Sequence, residues 1–279
     1  MATTEKTAPT AVLSKSDSLG LTLSDTGVLT ITLNRPDCLN AIDDDLSFAL
    51  QDALKQAAKL NTVRCVVLTG AGRGFCAGQD LQSRSIAATG EDTTPHLGES
   101  IRKRYTPIIV GLRQLEKPVI AAINGVAAGA GASLALACDL RVASENASFI
   151  QAFVKVGLIP DSGALWLLPQ LVGAGRAMEL AMLGDKLDAA TALQWGLVNK
   201  VVPLEVLMNE TLALADRLAQ GPTKALGLMK RAVNTGAQLP LPQYMTLEAD
   251  LQEVAGRTKD YRTGVDAFLN KQLPVFSGQ

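Results

Sequence analysis

The sequence predicts an α/β fold built around a largely parallel sheet, and three features indicate it. Two short segments, residues 63–69 and 119–123, are apolar enough to form buried strands. Each segment runs into a glycine-rich turn, and helical patterns alternate with the strands. Strands that are apolar on both faces are typical of parallel sheets, because helices cover both sides of such sheets.

The spacing of apolar residues predicts the other elements in order. Residues 28–33 alternate between apolar and polar side chains, which predicts a half-buried strand. A helix is expected to begin at Asp43, because consecutive aspartates suit a helix N-terminus, where the dipole favours negative charge. An almost wholly apolar helix is expected at residues 129–138. Further strands are expected at residues 140–142, 147–150 and 197–202.

The chain divides into three predicted regions. Residues 1–17 are rich in Thr, Ser and Ala and are expected to form a disordered arm. Residues 18–203 form the predicted α/β core, although the pattern of residues 83–105 predicts no particular element. Residues 204–279 form a helical C-terminal layer, in which three amphipathic helices are expected, separated near Gly221 and Leu239.

Composition excludes several classes of function. With 26 basic and 27 acidic residues among 279, the chain has no net field that would favour nucleic acid or an anionic membrane. No apolar run reaches the roughly 18 residues that span a bilayer. Four scattered cysteines and one histidine, His96, provide neither metal-ligand spacing nor a histidine-based triad. These features predict a cytoplasmic protein without a metal site.

The two glycine-rich turns, at residues 70–81 and 124–133, are the strongest functional signal. Glycine allows tight turns and close approach of a ligand to the main chain, so each turn can present backbone N–H groups. Two such turns facing each other would stabilise negative charge developing on an oxygen, which points to chemistry at a carbonyl group. A dinucleotide site is not expected, because the second turn lacks the third glycine of that fingerprint.

A set of motifs spread along the chain resembles the crotonase, or enoyl-CoA hydratase/isomerase, superfamily. The motifs are LNRP at 33–36 with Asn40-Ala41, GFCAGQDL at 74–81, KPVIAAING at 117–125, GAG at 129–131, ACD at 137–139 and GLIP at 157–160. The resemblance extends from Asp25 to the C-terminus. It implies a spiral of ββα turns with a C-terminal helical trimerisation region, assembled as a homotrimer or a dimer of trimers.

The resemblance also implies the substrate class and the residues that hold it. The expected substrate is an acyl-coenzyme A thioester, and no separate cofactor is expected because coenzyme A is part of the substrate. The thioester oxygen would accept hydrogen bonds from the backbone N–H groups of Gln79 and Ala130, an oxyanion hole. The coenzyme is expected to contact Arg35 and the loop of Ala77, Gly78, Gln79, Asp80 and Leu81.

For each of three charged residues, the sequence leaves two roles open. Asp80 either contacts the coenzyme or, as we favour, has a structural role within its loop. Arg257 and Lys271 either reach the phosphates of coenzyme A, across a subunit boundary, or are solvated surface charges.

Two positions separate isomerase from hydratase chemistry. Hydratases of this family handle a water molecule with two glutamates, and the matching positions here are Ser133 and Phe153. With both carboxylates missing, efficient hydration is not expected. Asp161 provides a different carboxylate, which the resemblance implies is the acid/base; its alternative interpretation is a helix N-cap after a proline. Ser133, Phe153 and Trp166 are expected to line the acyl pocket, with the aromatic pair excluding water.

Three functions are therefore open. A single carboxylate beside an oxyanion hole can remove a proton and return it elsewhere, so isomerisation is the first expectation. Residues 159–163 and 166–169 most resemble the branch of the family in phenylacetate catabolism that converts ring-1,2-epoxyphenylacetyl-CoA to its oxepin form. The second is a general Δ3,Δ2-enoyl-CoA isomerase of fatty-acid oxidation, and the third is a non-catalytic acyl-CoA-binding protein.

Overall fold

The computed structural model describes residues 16–81, 96–236 and 238–279. The predicted disordered arm lies almost wholly outside these residues, as does most of the segment whose pattern predicted no element. Within the described residues the strands are β1 (Leu19–Leu23), β2 (Val28–Leu33), β3 (Cys65–Gly70), β4 (Gly74–Cys76), β5 (Val119–Ile123), β6 (Val126–Ala128), β7 (Leu140–Ser144), β8 (Ser148–Ile150), β9 (Lys186–Asp188) and β10 (Lys200–Val202).

The helices of the same part of the chain flank these strands. They are α1 (Asp44–Lys59), α2 (Leu97–Ser100), α3 (Thr106–Gln114), α4 (Ala130–Ala137), α5 (Ala164–Val172), α6 (Ala174–Leu183), α7 (Ala189–Gln194), α8 (Leu207–Ala219), α9 (Thr223–Gly236), α10 (Leu241–Gly256) and α11 (Lys259–Leu269). A π-helical turn, Ile101–Tyr105, joins α2 to α3, and a 3-10 helix, Ala152–Val156, follows β8.

The strands form two sheets, and both are mainly parallel. The larger sheet has the order β1-β2-β3-β5-β7-β10, with only β1 antiparallel to its neighbour. The smaller has the order β4-β6-β8-β9, with β9 antiparallel. This arrangement confirms the predicted α/β class.

The register of the large sheet brings the two glycine-rich turns to the same edge. β3 and β5 are parallel neighbours in which Thr69 lies opposite Ala122, so both strands end side by side. The chain leaves β3 into β4 and leaves β5 into β6, and β4 and β6 pair with each other in the second sheet. Each turn therefore connects the same two sheets.

Local signals in the sequence explain where the principal helices begin. The Asp43 carboxylate accepts the Leu46 N–H at 2.9 Å and caps α1, as predicted. The apolar face of α1, which includes Leu50 and Leu54, is buried against the sheet. All eight residues of α4 are buried, which explains why this helix has no polar face.

Two parts of the structure differ from the prediction. Among the described residues, the C-terminal region has four α-helices rather than three, because α10 ends at Gly256 and Thr258 caps α11 by accepting the Tyr261 N–H at 3.1 Å. The first of the four, α8, packs on β2, β3, β5 and β7 and completes a hydrophobic core with them. The last strand is also shorter than predicted, since the backbone of Leu197 turns back to bond Ala192 before β10 begins.

A glycine contact tests the packing of α4. A methyl group at Gly131 would lie 2.2 Å from the carbonyl oxygen of Cys76, in β4, so the Gly131→Ala variant must move one backbone away from the other. We expect it to lower the free energy of unfolding by roughly 1–3 kcal/mol, measured by urea denaturation. The control is Gly175→Ala in α6, where a methyl group meets nothing within 4 Å. Equal stability of the two variants would contradict the close packing.

Candidate active site

The two glycine-rich turns touch through their main chains. Gly78, in the first turn, has φ +93°, a conformation that favours glycine. A Cβ atom there would lie 2.7 Å from the carbonyl oxygen of Ala128 and 3.3 Å from the nitrogen of Ala130, both in the second turn. The backbone at Gly78 thus lies directly against the start of α4.

Backbone hydrogen bonds fix the first turn against the segment before α1. The Ala77 N–H donates to Leu39 at 2.9 Å, and the Asp80 N–H donates to Ile42 at 3.0 Å. In return, the Ile42 N–H donates to the carbonyl oxygen of Gly78 at 2.7 Å. These three bonds hold residues 77–80 in one conformation, with the Gln79 peptide between them.

The Arg35 side chain braces this turn from behind. Its guanidinium lies 2.9 Å from a carboxylate oxygen of Asp80 and 3.1 Å from one of Asp43. Burial disfavours the guanidinium charge, but the hydrogen bond to Asp80 and the charge of Asp43 outweigh it, so the pKa of Arg35 is raised. Arg35 does not line the cavity described below, and the structural interpretation of Asp80 accords with this contact.

The second turn places a helix N-terminus opposite the first. Gly129 has φ +51° and ψ −126°, and its N–H donates to Ile150 at 2.9 Å, so the chain turns sharply from β6 into α4. The first N–H groups of a helix have no acceptor within the helix, and the dipole makes that end positive. Ala130 is the first residue of α4, so its amide has the character expected of an anion-stabilising donor.

A cavity of about 380 Å³ opens beside the meeting point of the two turns. Most of its walls are apolar. The described residues that line it are Ala77, Gln79, Leu81, Leu97, Ile101, Gly129, Ala130, Ala152, Phe153, Val156, Leu158, Ile159, Pro160, Asp161 and Ser162. Asp161 is the one ionisable side chain among them, and it is half-buried.

Asp161 occupies a tight turn between Pro160 and α5. Its carbonyl oxygen accepts the Ala164 N–H at 3.0 Å, and its carboxylate Oδ1 accepts the Ser162 hydroxyl at 2.8 Å. The interpretation of Asp161 as an N-cap is wrong, because Gly163 precedes α5 and no side chain caps that helix.

Two of the three predicted acyl-pocket residues lie outside this lining. Ser133 is fully buried behind it, where its hydroxyl lies 3.3 Å from Gly129 O and 3.1 Å from Asp161 O. Trp166 is 41% exposed and stacks with the Arg113 guanidinium at 5.9 Å, because α5 buries Ala164, Leu167 and Leu168 on its opposite face. Phe153 does line the cavity, with its ring near Gly129.

Several lining residues were not predicted from the sequence. Leu97 and Ile101 enter the cavity wall from α2 and the π-helical turn. Their spacing of four residues is a weak helical signal in a stretch that otherwise reads as polar. Ser162 was also missed, and its position next to Asp161 was the available signal.

The remaining candidate residues lie away from the cavity. Arg257 pairs with Glu253 at 2.8 Å on the exposed surface of α10, and Lys271 follows α11 with an exposed side chain.

Burial raises the pKa of the Cys76 thiol to about 12, so it is neutral and a poor nucleophile. Within residues 16–81, 96–236 and 238–279, no cluster of His, Cys, Asp or Glu could hold a metal ion, and no helix is long and apolar enough to span a membrane.

The Arg35→Met variant tests the brace behind the first turn. Loss of its charge-assisted hydrogen bonds should weaken the turn, and we expect amide hydrogen exchange within residues 77–80 to accelerate about tenfold or more. Exchange measured by mass spectrometry on a peptide covering these residues reports the change. Arg257→Met, which removes an exposed pair within one helix, serves as the control. Unchanged exchange at residues 77–80 would rule out the bracing role.

Comparison with known proteins gives the same family throughout. The family model described as enoyl-CoA hydratase/isomerase matches residues 24–279. The 1,2-epoxyphenylacetyl-CoA isomerase of Escherichia coli K12 is 50% identical over 253 residues, covering 91% of this chain and 96% of that protein. The 2,3-dehydroadipyl-CoA hydratase of the same organism is 35% identical over 255 residues, covering 90% and 96%.

A solved structure shows the same architecture. The enoyl-CoA hydratase from Bacillus anthracis superposes with a TM-score of 0.86 at 35% identity, covering 94% of this chain and 100% of that one. Its fold is that of the two-sheet core and C-terminal helices described above. Together with the family model and the sequence relatives, it shows that this chain belongs to the enoyl-CoA hydratase/isomerase, or crotonase, family.

Proposed function

We propose that this protein is an acyl-CoA isomerase that uses Asp161 as its only acid/base and the Gln79 and Ala130 amides as an oxyanion hole. The observation that carries the proposal is the cavity itself. Both turns contribute to its wall, and Asp161 is the one ionisable side chain among the described lining residues. One base is sufficient for an isomerisation, since the proton removed at one carbon is returned at another.

The proposed substrate is ring-1,2-epoxyphenylacetyl-CoA, and the product is the oxepin form. The Asp161 carboxylate removes a proton from the carbon next to the thioester, and the electron pair moves onto the thioester oxygen. The two amide N–H groups stabilise that enolate. The enolate then re-forms the thioester carbonyl and a double bond to the ring, as the bond between the two epoxide carbons breaks and the six-membered ring expands to seven members. The electron pair of the broken bond shifts through the ring double bonds, and Asp161 returns the proton to the ring carbon that receives it. No atom is gained or lost.

The residues at the two hydratase positions favour isomerisation over hydration. Phe153 cannot transfer a proton and presents an apolar ring to the cavity. The Ser133 hydroxyl is buried between two backbone carbonyl groups, where it has no base to help it activate water. An apolar cavity wall also disfavours hydrolysis of an epoxide.

The choice of acyl group rests on similarity. The Escherichia coli relative named as 1,2-epoxyphenylacetyl-CoA isomerase is 50% identical over nearly its whole length, whereas two relatives named as hydratases are 41% and 35% identical. The second candidate is a Δ3,Δ2-enoyl-CoA isomerase, which the same base and amides could serve. A non-catalytic acyl-CoA-binding protein would not need a carboxylate directed to the acyl pocket.

The coenzyme portion is proposed to lie along the first turn. Ala77, Gln79 and Leu81 line the cavity, and Leu81 is 64% exposed at its mouth. Gly78 and Asp80 support this turn through their backbone contacts.

We place the protein in the cytoplasm, where its four unpaired cysteines would stay reduced.

Asp161→Asn tests the acid/base. The amide keeps the shape of the carboxyl group but cannot accept a proton, so we expect kcat to fall by roughly 10²–10⁴-fold with KM little changed. Steady-state kinetics with ring-1,2-epoxyphenylacetyl-CoA measures both. The control is Asp185→Asn, because that aspartate is exposed and does not line the cavity. Wild-type turnover in Asp161→Asn would remove this residue from the mechanism.

A substrate comparison tests the acyl group. We expect the highest kcat/KM for the epoxide, a lower value for a linear 3-enoyl-CoA, and negligible hydration of a 2-enoyl-CoA because both hydratase carboxylates are missing. The three thioesters are assayed separately with one enzyme preparation. A clearly higher kcat/KM for the 3-enoyl-CoA would favour the second candidate, and rapid hydration would contradict the isomerase proposal.

The C-terminal helices suggest self-association into a homotrimer or a dimer of trimers. Several apolar side chains of α9, α10 and α11 are exposed in the isolated chain, including Val233 (69%), Leu241 (70%) and Phe268 (82%). Val233 and Leu241 also line a groove between α9 and α10. Exposed apolar groups of this density are typical of protein–protein interfaces.

Light scattering after size-exclusion chromatography tests the assembly. We expect a mass that is three or six times that of the 29.3 kDa chain. Val233→Glu should shift the population toward smaller species while circular dichroism shows a retained fold, since it places a charge in the proposed interface. A monomeric wild-type protein at micromolar concentration would contradict the proposal.

A further inference from the structure

Two serine hydroxyl groups contact Asp161, one at its side chain and one at its main chain. We propose that Ser162 and Ser133 are positioning residues: Ser162 orients the Asp161 carboxylate, and Ser133 links the Asp161 backbone to the oxyanion turn. This inference rests on the proposed role of Asp161 and adds the means by which the carboxylate is held relative to the two amides.

The Ser162 hydroxyl restrains the carboxylate directly. It donates to Asp161 Oδ1 at 2.8 Å, and the Ser162 residue is only 6% exposed. A partly buried hydrogen bond to one carboxylate oxygen limits rotation of the group about its Cβ–Cγ bond. The second oxygen is thereby given a defined direction relative to the cavity.

The backbone at Ser162 supports a role beyond packing. Its φ is +53°, a left-handed conformation that costs a residue with a Cβ atom of the order of 1 kcal/mol. Glycine would adopt this conformation without that cost, and Gly163, the next residue, does so at +77°. A strained serine beside a cavity suggests that its hydroxyl compensates for the strain.

Ser133 connects the two halves of the site. Its hydroxyl lies 3.1 Å from the carbonyl oxygen of Asp161 and 3.3 Å from that of Gly129, the residue before the Ala130 amide. A hydroxyl has one hydrogen, so it is shared between the two acceptors. Ser133 is fully buried, and its removal would leave both carbonyl oxygens without this hydroxyl donor.

These contacts matter because proton transfer depends steeply on geometry. A displacement of about 1 Å in a catalytic group can lower the rate about 100-fold without weakening substrate binding. Loss of a positioning bond is therefore expected to lower kcat and to leave KM nearly unchanged. A purely structural role would instead lower stability and the fraction of active enzyme.

The decisive variant is Ser162→Gly, which removes the hydroxyl and relieves the strained φ together. We expect it to unfold at the same urea concentration as the wild type or higher, while kcat falls about tenfold and KM changes less than about twofold. Ser162→Ala removes the hydroxyl but keeps the strain, so it should lose similar activity and be less stable. Wild-type kcat in Ser162→Gly would overturn the role of Ser162.

Ser133→Ala has a matched control in Ser144→Ala. Ser144 is also fully buried, and its hydroxyl donates to a backbone carbonyl, that of Asn124, away from the cavity lining. Both variants should lose similar stability, but only Ser133→Ala should lower kcat, by about tenfold. Equal kcat in the two variants, each corrected for the fraction of folded enzyme, would overturn the role of Ser133.

A double-mutant cycle with Asp161→Asn separates this inference from the proposed function. All kinetics use the acyl-CoA ester that the wild-type enzyme converts fastest. If Ser162 acts through Asp161, adding Ser162→Gly to Asp161→Asn lowers kcat no further. A further tenfold fall would overturn the inference and leave Asp161 in place. An unaffected Asp161→Asn single variant would instead contradict the proposed function.

Discussion

The close approach of backbone segments from the two glycine-rich turns is the constraint on which the rest of the site depends. At Gly78 and at Gly131, a methyl group would lie within 2.7 Å of a backbone oxygen in the opposing segment. The same holds at Gly125, where it would lie 2.1 Å from the carbonyl oxygen of Arg73. Only glycine permits these contacts, and without them the first turn and the start of α4 could not bring Gln79 and Ala130 to one cavity.

The described wall of the cavity carries few polar or charged groups. It carries one carboxylate and two candidate amide donors among mostly apolar side chains. Behind the first turn, the Arg35 guanidinium pairs with the carboxylates of both Asp43 and Asp80, so this group of three keeps a net negative charge. These ion pairs stabilise the conformation of the turn.

Much of this architecture could be predicted from the sequence, because local patterns determine it. The apolar runs gave β3 and β5, the aspartates gave the start of α1, and the glycines marked both turns. The three-residue strands β4, β6 and β9 were missed, since strands this short are defined by pairing with distant segments rather than by periodicity.

The candidate site was predictable to a similar extent. The motifs singled out Gln79, Ala130 and Asp161, and these three residues line one cavity. The direction of Trp166 was not predictable, because it depends on which face of α5 packs against its neighbours. Likewise, the bond between Ser133 and Asp161 joins residues 28 positions apart and has no local signature.

The use of peptide N–H groups as candidate charge-stabilising donors separates catalytic power from side-chain identity. A substitution at Gln79 or Ala130 changes the shape of the wall but leaves the donor atom in place, and only proline deletes it. The acyl pocket can therefore diverge toward new substrates over evolution while the amides persist. This gives a physical reason why proteins named as isomerases and as hydratases share one scaffold.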